Sequence, residues 1–172
     1  MSSTRNVRGA ITAFLLILLP ALFLLAALVI NIAHLQLVQT ELRVATDLSA
    51  RAAGYEFQQS QSELLMLAAA NRVGLRNRVD GSGVQFAAAD LELGQSVRLN
   101  QFQRYQFHPN NQEANAIRLT GRKSANSVNG QVNVYLPSLL GRRFAEIEAN
   151  SICTQADLDI VIVLDRSGSM AY

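Results

Sequence analysis

The chain is poor in the residues that usually carry covalent or acid–base chemistry. Of its 172 residues one is cysteine and two are histidine. A single cysteine, Cys153, excludes an intramolecular disulfide and a Cys-x-x-Cys redox pair. It stands in AEIEANSICTQ with no second Cys or His nearby to lower its pKa, which predicts a small packing residue rather than a reactive thiol. His34 and His108 are isolated in sequence. Glu146 and Glu148 alternate on an expected strand and read as solvated. No nucleophile–base pair, phosphate loop or framed pair of carboxylates stands out, so the expected catalytic and cofactor-binding sets are empty and no enzyme activity is expected. Charge is also sparse, at 16% of residues. The net charge of +2 comes from scattered arginines without interleaved aromatics, which excludes a nucleic-acid interface on composition. No repeat or low-complexity segment appears.

The largest absence is local. AITAFLLILLPALFLLAALVINIA, residues 10–33, has no charged side chain in 24 positions. As a helix it spans roughly 36 Å, enough for a hydrocarbon core of about 30 Å. A secretory signal peptide needs a shorter apolar core, about 7–15 residues, and a small-residue cleavage site that is not evident here. A transmembrane anchor is therefore expected. Pro20 is a tolerated bend in such a helix. Arg5 and Arg8 precede the run and the first cation after it is Arg43, so the positive-inside rule places residues 1–9 in the cytoplasm and the remainder outside.

Beyond the run, Leu35, Val38, Leu42, Ala45, Leu48 and Ala52 recur at three- and four-residue steps. With no Pro or Gly between Pro20 and Gly54, the anchor is expected to continue as one rod. Ser60-x-x-Glu63 reads as a capping box ahead of LLMLAAANRVG, a second helix stopped by Gly74 and paired antiparallel with the first. Asp80-Gly81-Ser82-Gly83 is a turn signal. Strand material is expected at Val84–Phe86, Asp90–Leu93, Val97–Phe107 and Phe144–Ile152. Ala116–Arg122 also reads as a strand, with Ile117 and Leu119 alternating against Arg118 and Thr120. HPNNQEAN and GRKSANSVNG read as loops, and Val132–Leu140 reads as either a strand or a short helix, with Pro137 favouring a helical turn. The expected fold class is α+β. Its organisation is a cytoplasmic N-terminus (1–9), a transmembrane helix (10–33), an extracytoplasmic helical region (34–79), a small α+β unit (80–155) and a final segment (156–172).

That final segment carries LDIVIVL, residues 158–164, a β-branched apolar run typical of a buried parallel strand. Asp165-Arg166-Ser167-Gly168-Ser169 follows. A turn after the strand would aim one carboxylate and two hydroxyls at a common point, an oxygen donor set suited to Mg²⁺ or Ca²⁺. Taken alone, D-x-S-G-S is as well explained by an ordinary turn.

Two resemblances extend this reading. DIVIVLDRSGSM resembles the first strand and metal-ion-dependent adhesion site of von Willebrand factor type A domains, which implies Asp165, Ser167 and Ser169 as metal ligands. In that family a further Thr and Asp come from later loops that the 172 residues do not contain. The site is therefore expected to be incomplete, with Mg²⁺ held only in a complete domain and none expected in this chain. Arg8-Gly9 before a single apolar helix, followed by LVQTELR and ATDLSARAA, resembles TadE/TadG-like proteins of the Tad (Flp-type) pilus-assembly system, as does ANAIRLTGR at 114–122. Family members often have Asp where Asn31 stands, and members of this layout often carry a von Willebrand A domain after the position of residue 155. The resemblance implies a TadG-like component of pilus assembly or surface adhesion in a bacterial inner membrane. Its C-terminal region would be periplasmic or extracellular. Its partners would be the membrane and other pilus-assembly or surface proteins, with no nucleic acid and no small-molecule substrate. Two alternatives remain at this stage. One is a pilin-like filament subunit, although Phe14 stands where pilins have Glu. The other is a metal-dependent sensor of the von Willebrand A type.

Overall fold

The computed structural model describes residues 7–98, 100, 102–110, 112–136 and 143–155. The segment with Leu158–Leu164 and Asp165, Ser167 and Ser169 lies outside the described residues.

The first helix, α1, runs unbroken from Val7 to Ser60, 54 residues with Pro20 inside it. The expected rod is therefore present. It is long and apolar enough to cross a membrane by length and composition. Its two halves differ in what they touch. From Ile11 to Ile32 nearly every large apolar side chain is exposed, whereas Val38, Leu42, Ala45, Ala50, Ala53 and Phe57 are buried. The buried stripe departs from the simple three–four pattern toward the C-terminal end. Leu48 is 41% exposed, and Ser49, Ala50 and Ala53 are buried instead. The reason is that α1 is covered on two sides, by the second helix and by a sheet, which widens and rotates the buried arc.

Helix α2 spans Glu63–Gly74 and packs against α1 through Met66, Ala69, Ala70 and Gly74. The capping-box reading of Ser60 is corrected. Ser60 is the last residue of α1, its hydroxyl donates back to Glu56 O, and the N-cap of α2 is Ser62 without a side-chain cap. The reversal is made by Gln61 in the left-handed region (φ 52°). Gly74 matters through space. A Cβ there would overlap Val84 O and the Phe86 ring, so the chain leaving α2 folds back tightly across it.

Two short strands, β1 (Arg78–Val79) and β2 (Ser82–Gly83), form a hairpin closed by Asp80 and Gly81, both at positive φ. This two-residue geometry suits an Asp-Gly pair. Residues 84–87 then run without strand pairing, against the expected strand at Val84–Phe86. A 3₁₀ turn at Ala88–Asp90 leads into β3 (Leu91–Val97). The strand material expected across Val97–Phe107 is split by a hairpin, in which β3 ends at Val97 and β4 (Gln106–Pro109) returns antiparallel to it. Its turn is built on Asn100, whose Oδ1 accepts from Phe102 N and whose carbonyl accepts from Gln103 N.

Strand β5 (Ala116–Lys123) follows the alternation read from the sequence and is the centre of a four-stranded antiparallel sheet in the order β4-β3-β5-β8. Strands β6 (Val132–Asn133) and β7 (Phe144–Ala145) pair with each other, so the start of Val132–Leu140 takes the strand alternative, while Pro137 lies outside the described residues. The predicted strand at Phe144–Ile152 is broken at Glu146, with β8 running from Ile147 to Thr154.

Register decides the two faces of the sheet. Leu93, Ile117 and Cys153 are lateral neighbours, as are Leu91, Leu119 and Ser151, and this face lies on the helices. Gly121 lies opposite Ala149 on the same face, and a Cβ on Gly121 would overlap Thr46 Oγ1 and press on Leu42. Polar side chains of α1 clip the other elements in place. Glu41 accepts from Asp80 N at the β1–β2 turn, Gln39 donates to Glu148 O, and Ser151 donates to Asp47. The helical pair and the sheet thus share one core.

Candidate interaction surface

The helix-facing side of the sheet is filled, so the surface open to other molecules is its outer face. Alternation places Glu92, Gly94 and Ser96 of β3, Arg118, Thr120 and Arg122 of β5, and Glu148, Asn150, Ile152 and Thr154 of β8 on that side. Along one half run ion pairs. Arg118 bonds Glu92, and Arg122 reaches Asp90 and, at 3.4 Å, Glu148. The Arg118 guanidinium also lies 4.8 Å above the Phe107 ring. Glu148, expected as a simply solvated residue, therefore belongs to this network.

Beside the ion pairs lies a depression of about 660 Å³ lined by Ser96, Tyr105, Phe107, Asn115, Ile152 and Thr154, with Gln155 at its rim. Asn115 fixes its floor, accepting from Ser96 N at 2.7 Å and so tying β3 to the start of β5. Phe107 packs over Gly94, where a Cβ would collide with the ring. At the distal tip Arg98 stacks on Tyr105 at 5.2 Å, and Phe102 is 91% exposed. The lining offers aromatic faces, an aliphatic side chain, hydroxyls and amides. Among the described residues the lining places no histidine, cysteine, lysine or carboxylate beside the hydroxyls, and the groups it does present stack and hydrogen-bond.

The residues weighed from sequence as chemical candidates fall elsewhere. His34 is not isolated in space. Its side chain is 8% exposed, Nε2 stands 3.8 Å from Asp80 Oδ1, and its ring is 4.2 Å from that of Tyr135. Glu146 holds a loop, accepting through Oε1 from Ala125 N and Gln131 Nε2, and the first of these bonds lowers its pKa most. Cys153 packs against Gly54 of α1. Burial raises its thiol pKa, Arg51 pulls the other way and Asp47 adds to the rise. Because the thiolate is the reactive form, alkylation of Cys153 in the folded chain should be slow at neutral pH and accelerate on raising the pH or adding denaturant. Rapid labelling of native protein at pH 7 would contradict this placement.

Among the described residues, no group of three His, Cys, Asp or Glu is gathered to hold a metal ion. The oxygen ligands read from sequence, Asp165, Ser167 and Ser169, lie outside the described residues. The outer-face depression was not foreseen from sequence. Ser96, Phe107, Asn115, Ile152 and Thr154 come from four separate stretches, and only the strand register brings them together.

Residues 9–72 match the family model Tad, described as Flp pilus-assembly TadE/G-like. The match spans most of α1 and α2 and stops before the sheet. Neither a curated protein nor a solved structure matches the chain.

Proposed function

We propose that this protein is a membrane-anchored, TadG-like component of Flp pilus assembly or surface adhesion that acts by binding other proteins rather than by catalysis. The observation that carries the proposal is the family match, which falls on the apolar rod and its helical partner. The rod supports anchoring because its apolar half is exposed along nearly its whole length, which water would penalise and lipid would not. Arg5 and Arg8 ahead of the run favour a cytoplasmic N-terminus in a bacterial inner membrane, with the sheet on the far side. The outer face of the sheet, aromatic and polar without a catalytic constellation, suits a protein partner.

Residues 157–170 are the opening of a von Willebrand A domain on this reading, with Asp165 as carboxylate ligand and Ser167 and Ser169 as hydroxyl ligands. One carboxylate and two hydroxyls are a poor donor set for Mg²⁺, which prefers six oxygens in near-octahedral array. Calorimetric titration of the 172-residue chain with Mg²⁺ or Mn²⁺ should show no micromolar binding, and micromolar affinity would overturn the expectation that these three ligands are too few to hold the ion.

The function is tested in the cell that makes the protein. Deleting the coding sequence should abolish surface pili seen by electron microscopy, and a photo-crosslinker at Tyr105 should capture a protein of the same assembly apparatus. Normal piliation in the deletion strain would overturn the proposal.

A further inference from the structure

The β6–β7 pair packs beside the apolar part of α1. In the β6–β7 hairpin, Val134 N donates to Arg143 O, which sets Tyr135 and Leu136 on one arm beside Arg143 and Phe144 on the other. This stem is tied to the rod at Asn31. The Asn31 amide donates to Leu136 O and accepts from Leu136 N, both at 3.1 Å, and Asn31 is fully buried. The His34 ring, about one turn up the helix, packs on Tyr135. Burial continues in the other direction to Ala27, one turn deeper into the uncharged run, although the neighbouring large side chains of the rod are exposed.

The height of these contacts is what matters. Asn31 stands two residues inside the end of the uncharged run at Ala33, and Ala27 stands six inside, roughly 3 Å and 9 Å along the axis. An emerging helix at that level crosses the interfacial layer of a bilayer. Irregular backbone that reaches the hydrocarbon boundary must have its polar groups satisfied within the protein. Asn31 and the backbone N–H and C=O of Leu136 bond one another in both directions. The side chains presented outward have the composition of an interfacial belt. Tyr135 is 65%, Phe144 49% and Leu136 38% exposed, and Arg143 is exposed with no ion pair among the described residues. Tyrosine places its ring at headgroup depth, and arginine extends its guanidinium to lipid phosphates.

We infer that the Tyr135–Leu136/Arg143–Phe144 stem is a second membrane contact, seated in the interfacial layer of an anionic bilayer beside the rod. Apolar rings enter the acyl boundary and Arg143 meets the headgroup phosphates. The inference rests on the anchoring reading above. It gives the extracytoplasmic body a fixed tilt and height, because a rod held at one point turns freely whereas a rod and a stem together define a plane.

The chain contains no tryptophan, so single substitutions make clean fluorescent probes. Full-length Tyr135→Trp and Phe144→Trp, reconstituted in anionic bilayers with brominated acyl chains, should show blue-shifted emission and strong quenching. Phe102→Trp at the distal hairpin should remain unquenched, and Phe23→Trp within the apolar run should be quenched. If positions 135 and 144 behave like 102 while 23 is quenched, the stem contact is wrong and the anchor stands. Unquenched Phe23→Trp would overturn the anchor and the stem contact together. Blue-shifted but unquenched probes at 135 and 144 would mean that protein, not lipid, covers the stem, which also overturns the inference. Adding Arg143→Glu to Phe144→Trp should weaken quenching in anionic bilayers and leave it unchanged in zwitterionic ones. Equal quenching in both would overturn the assignment of anionic lipid as the ligand.

Discussion

Leu42→Ala should lower the stability of the extracytoplasmic body by about 2–5 kcal/mol, the usual range for emptying a fully packed core position. Leu42 has no exposed surface and lies where α1 meets β5, against the position of Gly121. Collapse around the cavity is restricted on both sides. Thr46 is bound to Leu42 O one turn away, and β5 is held between two neighbouring strands. Urea unfolding of the full chain in detergent, followed by the rate of Cys153 alkylation, reads this directly, because Cys153 lies on β8 against α1. The transition midpoint should fall well below that of the parent. Leu64→Ala, at a side chain 76% exposed on α2, should stay within about 0.5 kcal/mol. Equal midpoints for Leu42→Ala and the parent would mean that the rod does not pack on the sheet.

The second large effect concerns the other half of the same helix. Leu18, Leu22 and Leu25 are exposed within the uncharged run and are distant from the shared core. Replacing all three with arginine should leave the body folded and remove the chain from the membrane. Arginine near the centre of a spanning helix costs roughly 3 kcal/mol in insertion, and each lost leucine removes about 0.5 kcal/mol of favourable transfer. Fractionation after an alkaline wash should find the parent in the membrane pellet and the triple variant outside it. Retention of the triple variant in the washed pellet would remove the bilayer as the partner of this helix.

These two experiments divide one helix into regions of different legibility. The continuity of α1 was readable because nothing between Pro20 and Gly54 interrupts it, and helix geometry depends mainly on neighbours three and four residues away. The same locality made β5 readable from the alternation of Ile117 and Leu119 with Arg118 and Thr120, and the β1–β2 turn from Asp80-Gly81. The β3–β4 reversal, made without glycine or proline, was missed, and the expected reversal between the two helices is made by a residue the sequence did not mark. Gln61 adopts a left-handed conformation, and Asn100 turns the β3–β4 hairpin through its own side chain. The capping box failed for a related reason. The Ser60 hydroxyl found an acceptor at Glu56 O in the helix it ends.

The candidate surface was less legible still. Its lining comes from β3, the residues before and within β4, the start of β5 and the end of β8, and a shift of one residue in any pairing would turn those side chains into the core. Asn31 shows the same limit. From the sequence it is a polar residue near the end of an apolar run. Its partner, the backbone of Leu136, lies 105 positions away and appears only when the β6–β7 hairpin closes against the rod.

The sequence by itself determined the unbroken rod, the uncharged stretch within it and the alternating central strand, because each depends on side chains within a turn or two of one another. The tertiary structure alone decided which arc of the rod is buried, which face of the sheet is open and what stands beside Asn31. Those outcomes depend on register and packing between segments far apart in the chain, and no local pattern encodes them.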